Sequence, residues 1–399
     1  MDVICPKDKC TGCGACRDIC PKKCISLKED VIDAVYPHVN QENCVKCGQC
    51  YRTCPNNRDL DFHFPMTCYA AWSLDNNCRM NSASGGVAAE LYHYAIKNGF
   101  FSSGVCWDRE RGACYIPVLE ESDIWNVRNS KYVYSDTSGI YIVIKNKLEE
   151  GVSVLFIGLP CQVAGLYGYL KKNYDNLITV DIICHGVAPL AYLEQHLRSI
   201  EEKKRKQTKS LSFRNPKYHT FTYSLTLSGN DNQEFYKKTV NSFDNYQLGY
   251  HHALIYRDNC YQCSYARAER ISDLTIGDFS GLGRFKDCKY DWHNVSCVLV
   301  NTDRGNTLFN EMKDFLSVDE RPLEEALLVE NQLRRPSVAH PRRDVFLYKY
   351  KLTHDFVKSA NSSLKGDKIF VFRKKIVNVA KELIRMVVPA FIIRSIKNK

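Results

Sequence analysis

A motif of four cysteines occurs twice near the start of this chain and limits how its first residues can fold. The two copies read Cys10-Thr-Gly-Cys13-Gly-Ala-Cys16-Arg-Asp-Ile-Cys20-Pro21 and Cys44-Val-Lys-Cys47-Gly-Gln-Cys50-Tyr-Arg-Thr-Cys54-Pro55. Both have C-x2-C-x2-C-x3-C-P spacing, and the second copy follows the first by 34 residues. An internal repeat of this kind indicates one compact module rather than a segment of a larger fold.

The spacing within each copy favours iron–sulfur ligation. Three cysteines at x2 spacing place three thiolates on one loop, and the fourth, followed by Pro, serves the other cluster. The repeat therefore predicts a bacterial-type 2[4Fe–4S] ferredoxin domain over residues 1–60. Its alternative, a pair of structural zinc sites, needs neither the third Cys nor the trailing Cys-Pro. The expected ligands are Cys10, Cys13, Cys16 and Cys54 for the first cluster, and Cys44, Cys47, Cys50 and Cys20 for the second. Cys5 and Cys24 are expected to be spare thiols beside the clusters.

Cysteine usage also indicates a cellular setting. The chain has 20 Cys in 399 residues, and its first residues show neither a basic region nor an apolar segment typical of a secretory signal. Dense cysteine without such a signal favours metal ligation over disulfides. No run of apolar residues is long enough to span a membrane. We therefore expect a cytoplasmic protein, and its load of thiolate-bound iron suits an anaerobe.

A longer body follows the repeat and alternates predicted strands with predicted helices, so the expected fold class is α+β with a mixed α/β body. We expect residues 61–150 and 151–350 to be two parts of that body, and residues 351–399 to be a separate tail. Helices are predicted at residues 87–96, 140–148 and 190–200. Strands are predicted at residues 152–157, 177–183, 223–227, 274–276 and 295–300.

Four further cysteines stand at positions that suit a third metal site. Cys161 and Cys184 each come just after a predicted strand, and the carboxyl ends of strands are where α/β sheets gather ligands. Cys260 and Cys263 form a CxxC, which could complete a four-thiolate site with the other two. Spacing alone leaves a second interpretation equally open. Cys161 and Cys184 could be small buried apolar residues, and the CxxC could be incidental.

Three other features are weaker candidates. Ser84-Gly85-Gly86 precedes a predicted helix, where free N–H groups suit a phosphate, although a simple Ser N-cap is commoner. The segment around Ser130-Lys131-Tyr132 could set a cation and hydroxyls near a phosphate, although an isolated Lys is usually solvated. His185 could act as an acid or base, but such a His more often bonds a backbone carbonyl. No G-x-G-x-x-G fingerprint supports a nicotinamide site.

Taken together and in order, these motifs resemble the coenzyme F420 hydrogenase/dehydrogenase beta-subunit family, in members that carry an N-terminal two-cluster ferredoxin domain. The motifs that match are Ser84-Gly-Gly, Ser130-Lys-Tyr, Gly158-Leu-Pro-Cys-Gln-Val-Ala-Gly, Asp181-Ile-Ile-Cys-His-Gly-Val and Cys260-x-x-Cys with Ser272-Asp-Leu-Thr-Ile-Gly-Asp. The resemblance implies a third [4Fe–4S] cluster on Cys161, Cys184, Cys260 and Cys263. It also implies FAD, with contacts from Ser84, Gly85, Gly86, Ser130, Lys131 and Tyr132. The segment Phe279-Ser280-Gly281 departs from the family's usual pattern.

The predicted function is that of an iron–sulfur flavoprotein oxidoreductase, which passes electrons between [4Fe–4S] clusters and a substrate through FAD. We expect a redox partner protein or low-potential electron donor, and a small-molecule substrate such as a deazaflavin. An electron-transfer subunit without a substrate of its own is the main alternative. A regulatory or structural Cys-rich protein is disfavoured.

Charge is concentrated at the end of the chain. The net charge is +10, and the ten cations and two anions from Lys365 onward contribute +8 of it. The nearly neutral body does not indicate nucleic-acid binding. Apolar residues recur in the tail at helical spacing beside Lys374, Lys375, Lys381 and Arg385, which predicts a basic amphipathic helix. The apolar stripe comprises Ile369, Phe372, Ile376, Val377, Ala380, Leu383, Ile384, Val387 and Val388, before Pro389 and the apolar residues 391–393. Such a helix suits an anionic membrane surface, and docking on protein is the alternative.

Overall fold

The computed structural model describes residues 3–137, 139–240 and 242–387, and side chains as far as residue 377. The strands are β1 (Ile25–Glu29), β2 (Val35–Val39), β3 (Thr67–Ser73), β4 (Phe101–Asp108), β5 (Gly112–Val118), β6 (Ser135–Asp136), β7 (Val154–Gly158), β8 (Leu177–Ile182), β9 (Ser210–Ser212), β10 (Leu225–Ser228), β11 (Glu234–Lys238), β12 (Leu274–Asp278), β13 (Ser296–Val300) and β14 (Leu316–Arg321). The α-helices are α1 (Ala15–Asp18), α2 (Gln49–Thr53), α3 (Asn76–Met80), α4 (Val87–Lys97), α5 (Glu121–Val127), α6 (Ile140–Glu149), α7 (Pro160–Leu170), α8 (Leu190–Lys204), α9 (Asn245–His251), α10 (Asp303–Glu311), α11 (Leu323–Leu327), α12 (Arg343–Thr353), α13 (Phe356–Ser363) and α14 (Lys365–Val387).

The body is organised on one mixed sheet of nine strands in the order β14-β3-β13-β12-β8-β7-β4-β5-β6. Its central strands β12, β8, β7 and β4 are parallel, while β13, β3 and β14 pair antiparallel on one side. Strand β7 is buried along its whole length, as expected for a parallel strand covered on both faces. The mixed α/β class predicted from the sequence is confirmed, and one sheet includes strands from both predicted parts of the body.

Most of the helices and strands predicted from the sequence are present in the structure. Helices α4, α6 and α8 and strands β7, β8, β12 and β13 lie at the predicted places, with ends displaced by a few residues. The strand predicted at 223–227 instead begins at Leu225, because Tyr223 has a left-handed backbone that ends a short 3-10 turn. Strand β3, which lies between β13 and β14 in the sheet, was missed by the sequence analysis.

Residues 3–57 form a ferredoxin-type module around the β1–β2 hairpin and the short helices α1 and α2. The module lies against helix α7 of the body at two glycines. A Cβ on Gly165 would lie 3.0 Å from both Cβ and Sγ of Cys13, and a Cβ on Gly168 would overlap the carbonyl O of Thr53. The Tyr134 hydroxyl adds a hydrogen bond to the carbonyl O of Gly12 at 2.8 Å. This close backbone approach fixes the module on the body.

The end of the chain is only partly a tail. The predicted boundary at 351 falls inside α12. Helix α13 packs Phe356 and Ala360 into the core, and its C-cap Leu364 is fully buried there as well. Helix α14 still packs Val371 against this core, and residues 372–377 after it are all exposed. Ile369, Phe372 and Ile376 of the predicted apolar stripe are 54%, 56% and 53% exposed. The stripe positions from 378 on, and Pro389, lie outside the residues whose side chains are described. Among the described residues, no helix has the length and apolar character needed to cross a membrane.

The close approach at α7 generates a stability prediction. Replacing Gly168 with Ala should destabilise the chain by about 1–3 kcal/mol, because the new methyl group meets the backbone of Thr53, which cannot move independently. Gly366 in α14 has no atom within 4 Å of its Cβ position, so Gly366→Ala is the matched control and should be neutral or stabilising by up to about 1 kcal/mol. Thermal unfolding of the iron-loaded chain, followed by the loss of visible absorbance, measures both. Equal effects of the two substitutions would contradict the docking assigned to α7.

Candidate iron–sulfur and flavin sites

The four body cysteines predicted as a third site line one cavity. Cys161, Cys184, Cys260 and Cys263 surround an empty volume of about 660 Å³, which includes solvent at its mouth. Cys13 of the ferredoxin-type module lines the same cavity. Five thiols from two parts of the chain therefore meet at one place.

The fold explains why these cysteines converge. Strands β7 and β8 are parallel neighbours with Gly158 opposite Asp181, so the segments that follow them leave the same edge of the sheet. Cys161 lies in the first turn of α7, and Cys184 lies in the loop after β8. Cys260 and Cys263 lie in and directly after a 3-10 helix, Asp258–Gln262. The Cys260 N–H donates to the carbonyl O of Arg257, which shapes this turn.

Burial sets the electrostatics of the cavity. Burial raises the pKa of the Cys161 and Cys184 thiols, and the neighbouring cysteines raise it further because thiolates repel one another. The same two causes raise the pKa of Cys260 to about 11. Cys260 is buried and the other three are partly buried, so all four thiols could ionise together only if a cationic centre among them compensated the charge. Iron satisfies that condition, and so does any thiophilic metal.

The eight cysteines of the repeat form two crossed groups. Cys54, from the second copy, lies beside Cys10, Cys13 and Cys16, and each of these thiols perturbs its neighbours electrostatically. Cys20, from the first copy, lines a second cavity together with Cys44, Cys47 and Cys50. The structure thus brings together the two ligand sets expected from the motif.

Cys5 and Cys24 lie beside the two groups, as expected for spare thiols. The Sγ atoms of Cys24 and Cys20 are 3.4 Å apart. Cys5 forms hydrogen bonds with Cys10 and Cys54, and its bond to Cys10 is the main reason that the pKa of Cys10 falls to about 6. Each ferredoxin-type site therefore has a fifth thiol within reach of its ligands.

The predicted flavin segment Ser84-Gly85-Gly86 is held against the edge of the sheet. The Ser84 hydroxyl donates to the carbonyl O of Val295 at 2.8 Å, and the Gly85 N–H donates to Oγ of Ser296 at 2.9 Å. Gly86 has a left-handed backbone with φ of 91° and is the N-cap of α4. Because the Ser84 hydroxyl is engaged with the backbone, the free groups that this segment offers are helix N–H groups.

The second predicted flavin segment carries cations without acidic partners. The Lys131 ammonium donates to the carbonyl oxygens of Arg128 and Asn126, and burial lowers its pKa to about 7. Nε and Nη1 of Arg128 and Oδ1 of Asn129 are buried and have no hydrogen-bond partner among the described residues. A hydrogen bond joins Ser130 and Tyr132. The segment therefore offers unused donors to an anion.

Tyr250 connects the thiol cavity to this segment. Its hydroxyl donates to the carbonyl O of Gly186, two residues after Cys184, at 2.8 Å. Its ring stacks on Tyr132 with the ring centroids 4.6 Å apart. Tyr250 and Arg128 were not singled out from the sequence, since neither stands in a motif and only the fold brings them here.

Two histidines lie near these sites. The side chain of His185, the acid–base candidate from the sequence, is 52% exposed and lines the thiol cavity, with Nε2 4.0 Å from a carboxylate O of Glu330. His251 was missed by the sequence analysis. It packs edge-on against Tyr132 and Tyr250, its Nε2 has no partner among the described atoms, and burial lowers its pKa to about 3.

Comparison with known proteins agrees with this arrangement. Residues 9–57 match the 4Fe-4S dicluster domain, which together with the crossed cysteine groups defines an iron–sulfur protein with two [4Fe–4S] clusters in its N-terminal module. Residues 151–326 match the family described as the C terminus of the coenzyme F420 hydrogenase/dehydrogenase beta subunit. The chain belongs to this beta-subunit family and carries an N-terminal dicluster ferredoxin domain.

Individual relatives cover parts of the chain. The coenzyme F420-dependent sulfite reductase of Methanocaldococcus jannaschii is 34% identical over 42% of this chain and 26% of its own length. An uncharacterized protein of the same organism is 22% identical over 43% of this chain and 55% of its own length. The chain thus spans about a quarter of the length of the first relative and about half of the length of the second. The F420-reducing [NiFe] hydrogenase complex of Methanosarcina barkeri has a chain 16% identical, with a TM-score of 0.42, covering 78% of this chain and 96% of that one.

Proposed function

We propose that the protein is an FAD- and [4Fe–4S]-dependent oxidoreductase with three clusters, the third held by Cys161, Cys184, Cys260 and Cys263. The observation that carries this proposal is the cavity that these four thiols share with Cys13, a predicted ligand of the first cluster. When bound, the clusters would supply single electrons, which a flavin can exchange with a two-electron substrate. The chain's own part is to hold these sites close together.

The flavin assignment is supported by unused polar groups. A flavin dinucleotide carries a diphosphate, which needs donors and positive charge. Arg128 offers both and Lys131 adds a donor, and neither has an ion pair among the residues described. Ser84, Gly85 and Gly86 add helix N–H groups, while Ser130 and Tyr132 complete the proposed contacts. Tyr250 lies between this site and the thiol cavity.

The external electron donor is proposed to dock at the second cluster. Cys47 is exposed, unlike any predicted ligand of the first or third cluster, and Lys22 and Lys46 lie exposed beside it. A redox protein with an acidic surface would match these cations. The substrate is proposed to be a small molecule such as a deazaflavin, and His185 is the candidate for adjusting its protonation. A role as an electron-transfer subunit of a larger complex, without its own substrate, is the second possibility supported by the family.

Replacing Cys184 with Ser in the full chain tests the proposal. The variant should lose one of three clusters, and reduction of bound FAD by a reduced acidic ferredoxin should slow by at least about tenfold, because the centre between module and flavin is missing. Stopped-flow absorbance of the anaerobically reconstituted protein measures the rate. The ferredoxin-type clusters should still be reduced.

Cys68→Ser is the control, because Cys68 is a buried thiol of the same body but lies outside the cavity lining. It should retain the iron content and the rate of the unsubstituted chain. Two results would contradict the proposal: a reconstituted chain that takes up no flavin, or a Cys184→Ser variant that retains its full iron content.

We further propose that α14 gives peripheral contact with an anionic membrane. Its described part presents Ile369, Phe372 and Ile376 to solvent next to the exposed cations Arg373, Lys374 and Lys375. An amphipathic helix of this kind can bury its apolar face at the headgroup boundary, with roughly 1 kcal/mol gained per cation near the surface. Its base is fixed to the body, since Nδ1 of His252 lies 2.6 Å from a carboxylate O of Asp367.

Charge reversal tests the membrane proposal. The triple variant R373E/K374E/K375E should co-sediment at least about tenfold less with vesicles of phosphatidylcholine and phosphatidylserine at low salt. The control K203E/K204E reverses two exposed cations at the end of α8 and should bind as the unsubstituted chain does. Binding that is insensitive to salt and to the triple reversal, or no binding by any chain, would refute the membrane contact and favour docking on protein.

A further inference from the structure

Arg257 differs from the other buried arginines of the described chain in how its charge is compensated. Five arginines are buried, and four of them form an ion pair with a carboxylate: Arg214 with Asp278, Arg270 with Asp181, Arg321 with Glu325 and Arg343 with Asp258. Arg257 is 0% exposed and has no such pair within the described ranges. A guanidinium in this position is costly to bury unless another negative charge lies nearby.

The hydrogen bonds of Arg257 do not supply that charge. Its Nη2 donates to the carbonyl oxygens of Val35 at 2.8 Å and Cys10 at 3.1 Å, and its Nε donates to the amide O of Asn259 at 3.3 Å. Nη1 is buried and has no partner among the described atoms. All three acceptors are neutral. The rings of Tyr36 and Tyr134 lie over the guanidinium, at 5.1 and 5.3 Å, and contribute only a weak attraction.

The surroundings of the side chain identify the missing charge. Arg257 leaves the body one residue before the 3-10 helix that carries Cys260 and reaches into the loop between Cys10 and Cys13. A Cβ on Gly12 would lie 3.2 Å from Nη2. A [4Fe–4S] cluster with four thiolate ligands is negatively charged in both of its states, and reduction adds a further electron. The first cluster is therefore an anionic group that this cation faces, and Arg257 accordingly lowers the pKa of Cys10.

We propose that Arg257 raises the reduction potential of the first ferredoxin-type cluster above that of the second, and so directs electrons from the exposed cluster toward the body. A fixed cation in a buried setting stabilises the more negative, reduced cluster more than the oxidised one. The cations beside the second cluster, such as Lys46, are exposed and screened by solvent. The difference in potential thus follows from the position of one body residue. Only the direction of electron flow, from the second cluster toward the body, rests on the proposed function.

The test compares R257M and R257K in the full, reconstituted chain by EPR-monitored redox titration. R257M removes the charge, while R257K keeps it and loses the forked hydrogen bonds. R257M should lower the equilibrium constant for reducing the first cluster by about tenfold, which is about 60 mV for a one-electron couple. For R257K, this equilibrium constant should stay within about twofold of that of the unsubstituted chain.

K46M is the control for an exposed cation, and it should change the equilibrium constant for reducing either cluster by no more than about twofold. A Cys47→Ala chain identifies the signal of the second cluster.

Each outcome decides the proposal. If R257M takes up no iron in the first site, the unsubstituted chain decides instead: a first cluster whose potential is no higher than that of the second overturns the proposal. Equal shifts in R257M and R257K show that the hydrogen bonds matter rather than the charge, and overturn it. Unchanged potentials, or equal shifts of both clusters, also overturn it. These titrations concern only the ferredoxin-type clusters, so failure to bind flavin or a third cluster leaves their result unaffected.

Discussion

The close packing of the ferredoxin-type module on helix α7 is the contact on which the rest of the arrangement depends. Gly165 and Gly168 are three residues apart and lie on one face of the helix, where backbone and Cys13 of the module fill the space that side chains would occupy. The same helix begins at Pro160-Cys161, directly after β7. One helix therefore positions both a predicted ligand of the third cluster and the module that holds the first cluster.

Electrostatics complements this packing. The chain concentrates thiols in three places, and burial raises the pKa of most of those at the first and third sites. A protein can maintain such sites only when metal centres take up the thiolates and when nearby cations or N–H groups offset the resulting charge. Arg257 lies between Cys10 and the turn that carries Cys260, where it can serve this purpose. The close packing on α7 and the buried charge of Arg257 thus both lie at the contact between the ferredoxin-type module and the body.

Some of this could be predicted from the sequence because the signals are local. The spacing of the repeat predicts the crossed ligand groups, and the placement of Cys161 and Cys184 after strands predicts that they meet. Gly165 was visible in the sequence, but its role was not, because it depends on a loop more than 140 positions away in the chain. Arg257, Tyr250 and Arg128 stand in no periodic pattern. Their importance comes from partners that only the folded sheet brings near.

The most direct test of the account is an anomalous diffraction map, measured at the iron edge on crystals of the anaerobically reconstituted chain. The account predicts three iron peaks. One lies among Cys10, Cys13, Cys16 and Cys54, one among Cys20, Cys44, Cys47 and Cys50, and one in the cavity of Cys161, Cys184, Cys260 and Cys263, next to Cys13. A map with only the two ferredoxin-type peaks, or with a third peak outside that cavity, would contradict the central claim.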